Sequence, residues 1–236
     1  MNSSRAAYLR GIRHALPFIV VIVPFAMLFG LLATDAGLTL FEVGAFSVVV
    51  FAGASQFAAL QLMQDQAPLV VVLATALAVN LRLVMYSVAL APHFGAAPLG
   101  LRAVMAYFLV DQTFALSVAE FERRPGQSLP EKTAYFFGAV TPIVPLWMAA
   151  TMMGAIMGQA VPPEYALDFA VPITFLAMTA PMISSVAHAA AAGVAVGLTL
   201  ILAFMPYGSG LLVASAVGMA TGAVIEVMTD RKGRMA

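Results

Sequence analysis

Long apolar stretches alternate with short interruptions that are polar or rich in Pro and Gly along almost the whole chain. A helix that crosses a hydrocarbon core of about 30 Å needs about 20 mostly apolar residues. About eight stretches approach this length, at roughly 15–33, 41–63, 67–90, 103–121, 134–158, 169–186, 189–205 and 210–227. The pattern predicts an all-α, polytopic integral membrane protein with some helices broken by Gly or Pro, in which residues 1–236 form a single transmembrane domain.

The composition excludes a water-soluble fold. Of the 236 residues, 62% are hydrophobic and only 9% are charged, where a soluble domain has about 25% charged residues. A formal net charge of zero gives no reason to expect nucleic acid as a partner. The chain has no cysteine and no recognisable metal-ligand spacing, P-loop or dinucleotide fingerprint, so no cofactor is expected.

Three clusters hold nine of the eleven Lys and Arg residues, and they orient the predicted spans. Lys and Arg are enriched in short cytoplasmic loops, so the clusters should share one side, which requires an even number of crossings between them. Eight crossings satisfy this condition, with both termini cytoplasmic and with His93 and Arg102 in an outer loop. If segment two alone dipped into the membrane and returned, the second cluster would lie outside, which disfavours that arrangement. The clusters are Arg5, Arg10 and Arg13; Arg123, Arg124 and Lys132; and Arg231, Lys232 and Arg234.

The first apolar stretch, of about 19 residues, is longer than the core of a secretory signal, so we interpret it as an anchored span. The prolines at 17 and 24 weakly resemble in placement those at 142, 145 and 172. This similarity is the basis for predicting a weak repeat of four helices plus four, over 15–121 and 134–227. The two halves would be parallel because each has an even number of helices. The predicted location is the cytoplasmic (inner) membrane, as a multi-pass protein.

Two charged residues fall deep within predicted spans. Arg82 lies eight residues before the outer end of span three, and Asp111 lies eight residues after the outer start of span four, so both are expected about 12 Å below the outer surface. Equal depth on consecutive helices predicts an ion pair, which serves either as a structural bridge or as part of a transport path. The nearby polar residues Asn80, Tyr86 and Gln112 favour a path.

Span two contains the sequence FAGASQF at 51–57. Gly53 has a weak helical preference, and Ser55 and Gln56 offer hydrogen bonds to freed backbone groups, so this helix is expected to break in mid-membrane. The amides of Gly53, Ala54, Ser55 and Gln56 would then form a positive helix end able to hold a carboxylate. The alternative is a small-residue face for helix packing.

Other polar residues have simpler interpretations. Glu42, Glu120 and Glu226 lie within a turn of a span end and are expected to reach water. Trp147 is expected at a packing or interfacial position. His188, at a helix boundary, is expected at a wetted end, although it has the pKa range of a proton carrier.

The chain resembles the AzlC family, the large subunit of branched-chain amino-acid exporters. The likeness rests on FAGASQF at 51–57, on Asn80-Leu-Arg82 followed by Tyr86, on Asp111 with Phe114 and Ala115, and on the length and span layout. It implies export of Leu, Ile, Val and also Met, with a small AzlD-type membrane subunit as partner. Leu83 and Gln112 stand where family members often have a His and an acid, which leaves Asp111 as the mid-membrane carboxylate for proton coupling.

The leading hypothesis is a secondary transporter, not an enzyme. The break at Gly53–Gln56 would bind the carboxylate of the amino acid, Asp111 or freed carbonyls would face its ammonium group, and Arg82 would tune Asp111. One alternative is a rhomboid-like intramembrane serine protease with Ser55 as nucleophile and His188 as base, although rhomboids have Gly where this chain has Gln56. A second alternative is a non-transporting membrane scaffold.

Overall fold

The computed structural model describes residues 3–158, 183, 185–205 and 209–233, and every regular element in them is helical. The all-α prediction is therefore confirmed for the described residues, while the predicted span 169–186 lies almost entirely outside them. Within these ranges, four helical stretches are long and apolar enough to cross a membrane: Ser3–Asp35, Leu69–Phe94, Leu129–Gly158 and Ser209–Thr229. The helices are α1 (Ser3–Ala15), α2 (Ile19–Asp35), α3 (Leu40–Val49), α4 (Gly53–Gln64), α5 (Leu69–Phe94), α6 (Leu99–Tyr107), α7 (Asp111–Arg123), α8 (Leu129–Gly158), α9 (Val186–Ile201) and α10 (Ser209–Gly233).

The chain forms two compact units. The first comprises residues 1–57 and 79–166, and the second comprises residues 58–78 and 167–236. Both hairpins described below begin in the first unit, together with α1, α2 and α8. The single transporter domain over 1–236 and its four-plus-four repeat stay predictions.

In the first unit, α1 and α2 form one nearly continuous helix that packs against α8 over almost its full length. A Cβ added to Gly30 would collide with the carbonyl oxygen of Thr151, and one added to Gly154 would collide with that of Met27. Such close approach of two backbones through small residues is the usual way in which membrane helices associate. Gly11 meets the backbone of residues 135–139 in the same way. Residue numbers rise together along the contact, so the two helices are parallel and begin at the same end of the unit.

The end of the first unit at which α1 and α8 begin is called the basic end here. Its centre is Glu120, which is only 3% exposed. Arg10 and Arg124 form ion pairs with its carboxylate at 3.2 and 3.6 Å, and Gln127 donates to it at 2.9 Å. The prediction that Glu120 reaches water is wrong, because α1 and the 124–128 turn cover it and supply the charges that a buried carboxylate needs.

The segment predicted as span two is a re-entrant hairpin, named hairpin 1 (residues 40–64). The chain breaks at residues 50–52, between α3 and α4, so the predicted break is confirmed. The first turns of α4 then run back along α3: Gln56 donates to Ser47 at 3.3 Å, and the Phe29 ring contacts both Phe46 and Phe57, with centroids 5.6 and 5.5 Å apart. The prediction that residues 41–63 cross the membrane is therefore wrong.

The segment predicted as span four is a second re-entrant hairpin, named hairpin 2 (residues 99–123), with its break at 108–110. Its returning arm, α7, runs parallel to α5. Along this contact Arg82 meets Asp111 at 3.1 Å, the rings of Tyr86 and Phe114 lie 4.1 Å apart, and those of His93 and Phe121 lie 4.9 Å apart. Since α6 begins just after α5 ends, hairpin 2 enters and leaves at the basic end, and residues 103–121 do not cross.

Hairpin 2 also changes the side on which two basic residues lie. His93 is hydrogen bonded to Lys132 at 3.2 Å, although the eight-span prediction put these residues on opposite sides of the membrane. Arg102 lines a cavity together with Phe94 and Gly95, at the same level of the unit. The prediction of an outer loop containing His93 and Arg102 is wrong, because the loop after α5 lies at the basic end.

In the second unit, α9 and α10 pack as an antiparallel pair through small residues. Gly218 faces Ala191 and Ala195, and Gly222 faces Ala191. The Ser185 hydroxyl caps α9 by accepting from the His188 amide at 3.1 Å. These two helices agree with predicted spans 189–205 and 210–227 to within a few residues at their starts.

Candidate functional site

The tips of the two hairpins meet inside the first unit. The Phe51 ring, at the break of hairpin 1, stacks on Tyr107 and meets Phe108 edge-on, with centroids 6.1 Å apart in both pairs. The Tyr107 hydroxyl donates to the Val48 carbonyl at the end of α3. We call Phe51, Tyr107 and Phe108 the tip junction. Two helix breaks that face each other in this way place four helix ends around one region of the membrane interior.

The N-terminus of α4 is the first polar part of this region. The amides of Ser55 and Gln56 both donate to the Ala52 carbonyl at 3.1 Å. Those of Gly53 and Ala54 have no acceptor among the described residues, and they carry the positive end of the helix dipole. Position 53 needs a glycine, because a Cβ there would lie 2.6 Å from Trp147 and 2.7 Å from Phe25.

Ser55 and Gln56 point into the protein and are fully buried. The Ser55 hydroxyl donates to the Ala52 carbonyl at 2.8 Å and so closes the first turn of α4. The Gln56 amide nitrogen donates to the Ser47 hydroxyl at 3.3 Å and holds the two arms of hairpin 1 together. Its oxygen, Oε1, has no hydrogen-bond partner among the described residues.

The N-terminus of α7 is the second polar part. Asp111 is the first residue of α7, where a carboxylate is stabilised by the helix dipole. It forms the predicted ion pair with Arg82 at 3.1 Å and accepts a hydrogen bond from the Tyr86 hydroxyl at 2.9 Å. The Tyr86 ring is held in place by parallel stacking on Phe114. Arg82 and Asp111 keep 27% and 29% of their side-chain surface exposed, so the pair is partly buried.

The ion pair lies near the middle of the membrane. Arg82 is twelve residues before the end of α5, and Asp111 is twelve residues before the end of α7. At 1.5 Å per residue both lie about 18 Å from the basic end, roughly the centre of a core of about 30 Å. The equal depth of Arg82 and Asp111 was predicted, but on the assumption that their helices are antiparallel and start from the outer surface. In the structure α5 and α7 are parallel, and both residues lie at the same distance from the basic end.

Thr113 forms the break in hairpin 2 and is not among the predicted site residues. Its hydroxyl accepts from the Val110 amide at 2.9 Å and lies within hydrogen-bond distance of the carbonyls of Phe108 and Val110. No Gly or Pro occurs in residues 103–121, so the usual signals of a break are missing. The available signal was the acid Asp111, since acidic residues are enriched in the first turn of a helix.

The predicted site residues therefore form two groups. Arg82, Tyr86 and Asp111 contact one another, whereas Gly53–Gln56 surround the other helix start. No hydrogen bond or ion pair between described residues joins the two groups, and the tip junction connects the hairpins that carry them. Asn80 and Gln112 are half-buried near the Arg82–Asp111 pair along the chain, and the Asn80 oxygen Oδ1 has no partner in the described part.

An apolar cavity of about 240 Å³ lies between α5, α6 and α8. It extends from Arg102, near the basic end, to Leu109 at the break of hairpin 2. Such a volume is slightly below that of sites for drug-sized ligands, about 300–1,000 Å³. Among the residues that the structure describes, no group of three His, Cys, Asp or Glu side chains is placed to hold a metal ion.

Comparison with known proteins gives one family and two curated relatives. The inner membrane protein YgaZ of Escherichia coli is 28% identical over 177 residues, which cover 72% of this chain and 71% of the relative. An uncharacterized membrane protein of Archaeoglobus fulgidus is 28% identical over 185 residues, which cover 76% of this chain and 77% of the relative. No solved structure matches. The family model described as AzlC protein matches residues 17–161, a region that includes both hairpins and the tip junction, and the chain therefore belongs to the AzlC family.

Proposed function

We propose that the protein is a secondary transporter that exports branched-chain and other apolar amino acids (Leu, Ile, Val and Met) across the cytoplasmic membrane. The observation that carries this proposal is the meeting of two re-entrant hairpins in the membrane interior, each with the start of a half-helix at its tip. Discontinuous helices bind charged substrate groups in transporters because their ends expose backbone dipoles that lipid cannot satisfy. Membership in a membrane-transporter-associated family supports the same class of function.

The substrate is a zwitterion, and the two helix starts offer complementary charges. The α4 start, where the Gly53 and Ala54 amides have no acceptor among the described residues, binds the carboxylate. Asp111 at the α7 start balances the charge of the ammonium group, while Asn80, Tyr86 and Gln112 supply neutral polar contacts. Aromatic rings near the α4 start, among them Phe25 and Phe57 with centroids 4.7 Å apart, form an apolar surface for the substrate side chain.

Asp111 is also the proposed site of proton coupling. It is shared between Arg82, which forms an ion pair with it at 3.1 Å, and Tyr86, whose hydroxyl donates to it at 2.9 Å. A carboxylate in mid-membrane with one cationic and one neutral partner has two protonation states that differ in charge and in hydrogen bonding. A change in either state would alter the start of α7 and thereby the tip of hairpin 2.

The basic end is the proposed cytoplasmic end. Four basic residues of the first unit have described contacts there, as expected for a cytoplasmic end: Arg10, Arg102, Arg124 and Lys132. The relative in Escherichia coli is named an inner membrane protein, which supports the same membrane here. A small AzlD-type membrane subunit is the proposed partner.

The alternatives have less support. A serine protease needs a nucleophile within reach of a base and of substrate, but the Ser55 hydroxyl is fully buried and donates to the Ala52 carbonyl of its own helix. A scaffold would need neither a mid-membrane ion pair nor two helix breaks that meet. Neither alternative is proposed.

The test is counterflow of labelled leucine, methionine and valine in proteoliposomes under an imposed pH gradient, with and without the small subunit. Asp111→Asn should abolish uptake that depends on the gradient, whereas the matched control Asp35→Asn, at an exposed helix end, should leave it unchanged. Wild-type protein that folds but moves none of the three amino acids, with or without the subunit, would refute the transporter proposal. Equal uptake by wild type and Asp111→Asn would refute the site.

A further inference from the structure

Trp147 is a buried hydrogen-bond donor without an acceptor. It lies in the middle of α8, only 7% of its surface is exposed, and its indole nitrogen Nε1 has no hydrogen-bond partner among the described residues. Tryptophan nitrogens usually find a partner when they are buried, and an unsatisfied buried donor costs about 1–3 kcal/mol in desolvation. The exception calls for an explanation.

The Trp147 ring packs at the tip of hairpin 1. Its ring lies against Gly53, so closely that a Cβ there would be 2.6 Å from ring atom Cη2. Phe25 and Phe51 pack on it, with ring centroids 5.9 and 6.4 Å away. These contacts fix the six-membered ring of the indole beside the start of α4, where the Gly53 and Ala54 amides also have no acceptor in the described part of the chain.

A second unpaired atom lies one helical turn further along α4. Gln56 is fully buried, and its Oε1 is an acceptor without a partner among the described residues. Residues three apart share a helix face, so the Gln56 side chain lies on the same face of α4 as Gly53. Donors and an acceptor that lack partners in the described part of the chain thus occur within the first turn of α4 and on the neighbouring Trp147, and a zwitterion can use both kinds, because its carboxylate accepts and its ammonium group donates.

We propose that Trp147 is a substrate-binding residue whose indole N–H donates to the carboxylate of an apolar α-amino acid held at the start of α4. This inference rests on the proposed function and adds to it a residue on α8. Hydrogen bonds to charged groups are stronger than those between neutral groups. A bound carboxylate therefore satisfies the indole and both amides together, in a place where lipid and apolar side chains cannot.

The test removes the donor and keeps the ring. Trp147 is the only tryptophan in the chain, so growth of a tryptophan auxotroph on 3-benzothienylalanine, in which sulfur replaces the indole N–H, changes this site alone. The dissociation constant for L-leucine should rise by about tenfold or more. The thermal unfolding midpoint should stay the same, because the shape of the ring is kept.

The outcomes separate the inference from the function on which it rests. If the substituted protein binds leucine within twofold of wild type while wild type exports it, the inference is overturned and the transporter proposal stands. If the unfolding midpoint falls together with the affinity, Trp147 has a packing role, and the inference is again overturned. If wild type neither binds nor moves leucine, methionine or valine, the proposed function fails, and the inference fails with it.

Discussion

Neutralising one partner of the Arg82–Asp111 pair should be far more harmful to stability than neutralising both. The two charges are 3.1 Å apart, and each keeps less than a third of its surface exposed. At an effective dielectric constant of 20 their attraction is roughly 5 kcal/mol before desolvation is subtracted. Asp111→Asn would leave the Arg82 guanidinium unpaired in mid-membrane, which costs about 2.5–3.5 kcal/mol on insertion scales.

The double variant Arg82→Met, Asp111→Asn removes both charges and also the need to solvate them. Replacing a whole buried pair is often close to neutral for stability, so we expect its free energy of unfolding to lie within about 1 kcal/mol of wild type. The two single variants should each lose about 2–3 kcal/mol. The expected coupling energy is therefore at least about 3 kcal/mol, well above the error of a double-mutant cycle.

The assay is denaturant unfolding of the four proteins in one detergent, followed by leucine counterflow on those that fold. If the double variant loses the sum of the two single losses, the ion pair does not stabilise the protein, and the reasoning is refuted. Transport separates structure from function in the same set of variants. A double variant that is stable but inactive assigns the pair to the transport path, while one that is stable and fully active reduces it to a bridge between α5 and α7.

Two further predictions test the fold. Gly30→Leu should prevent α2 from packing on α8 and abolish the folded protein, because any Cβ at this position meets the Thr151 carbonyl. The control Gly100→Leu, at a position where an added Cβ has nothing within 4 Å, should fold like wild type. Equal yields of monodisperse protein from the two variants would contradict the packing of α2 on α8. Because the chain has no cysteine, single-cysteine variants can be labelled with an impermeant maleimide: Ala96→Cys and Gly126→Cys should react from the same side and Asp35→Cys from the other, whereas eight crossings would place Ala96 with Asp35.

The first break was predictable because its cause is local. Gly53 favours departure from the helix, and Ser55 bonds the backbone that the departure frees, so the signal lies within a few residues. The second break has an equally local cause in Thr113, but Thr is common within membrane helices, and no Gly or Pro accompanies it. The Arg82–Asp111 pair was predictable for a different reason: in a chain with few charges, two opposite charges at equal depth have few other partners.

The direction of each hairpin was not predictable from hydropathy. Hairpin 1 combines helices of 10 and 12 residues, and hairpin 2 combines helices of 9 and 13 residues. With the break, either total matches the length of a single tilted crossing. What makes each segment turn back is tertiary contact, such as that of Phe57 with Phe29 or of Phe121 with His93. Residues far apart in sequence decide it, and a single sequence does not show which of them meet.

The basic residues nevertheless constrain the hairpins once both are considered together. One re-entrant segment between the first two basic clusters would put them on opposite sides, and the charge pattern argues against that. Two re-entrant segments leave two crossings instead of four between the clusters. The number of crossings is then even again, and both clusters lie on the same side. The two arrangements differ at Arg102, which is an outer residue with eight crossings and lies at the basic end with two hairpins. The charge pattern therefore favours the pair of hairpins over eight crossings, because it leaves no basic residue of the first unit in an outer loop and only Arg82, paired with Asp111, within the membrane.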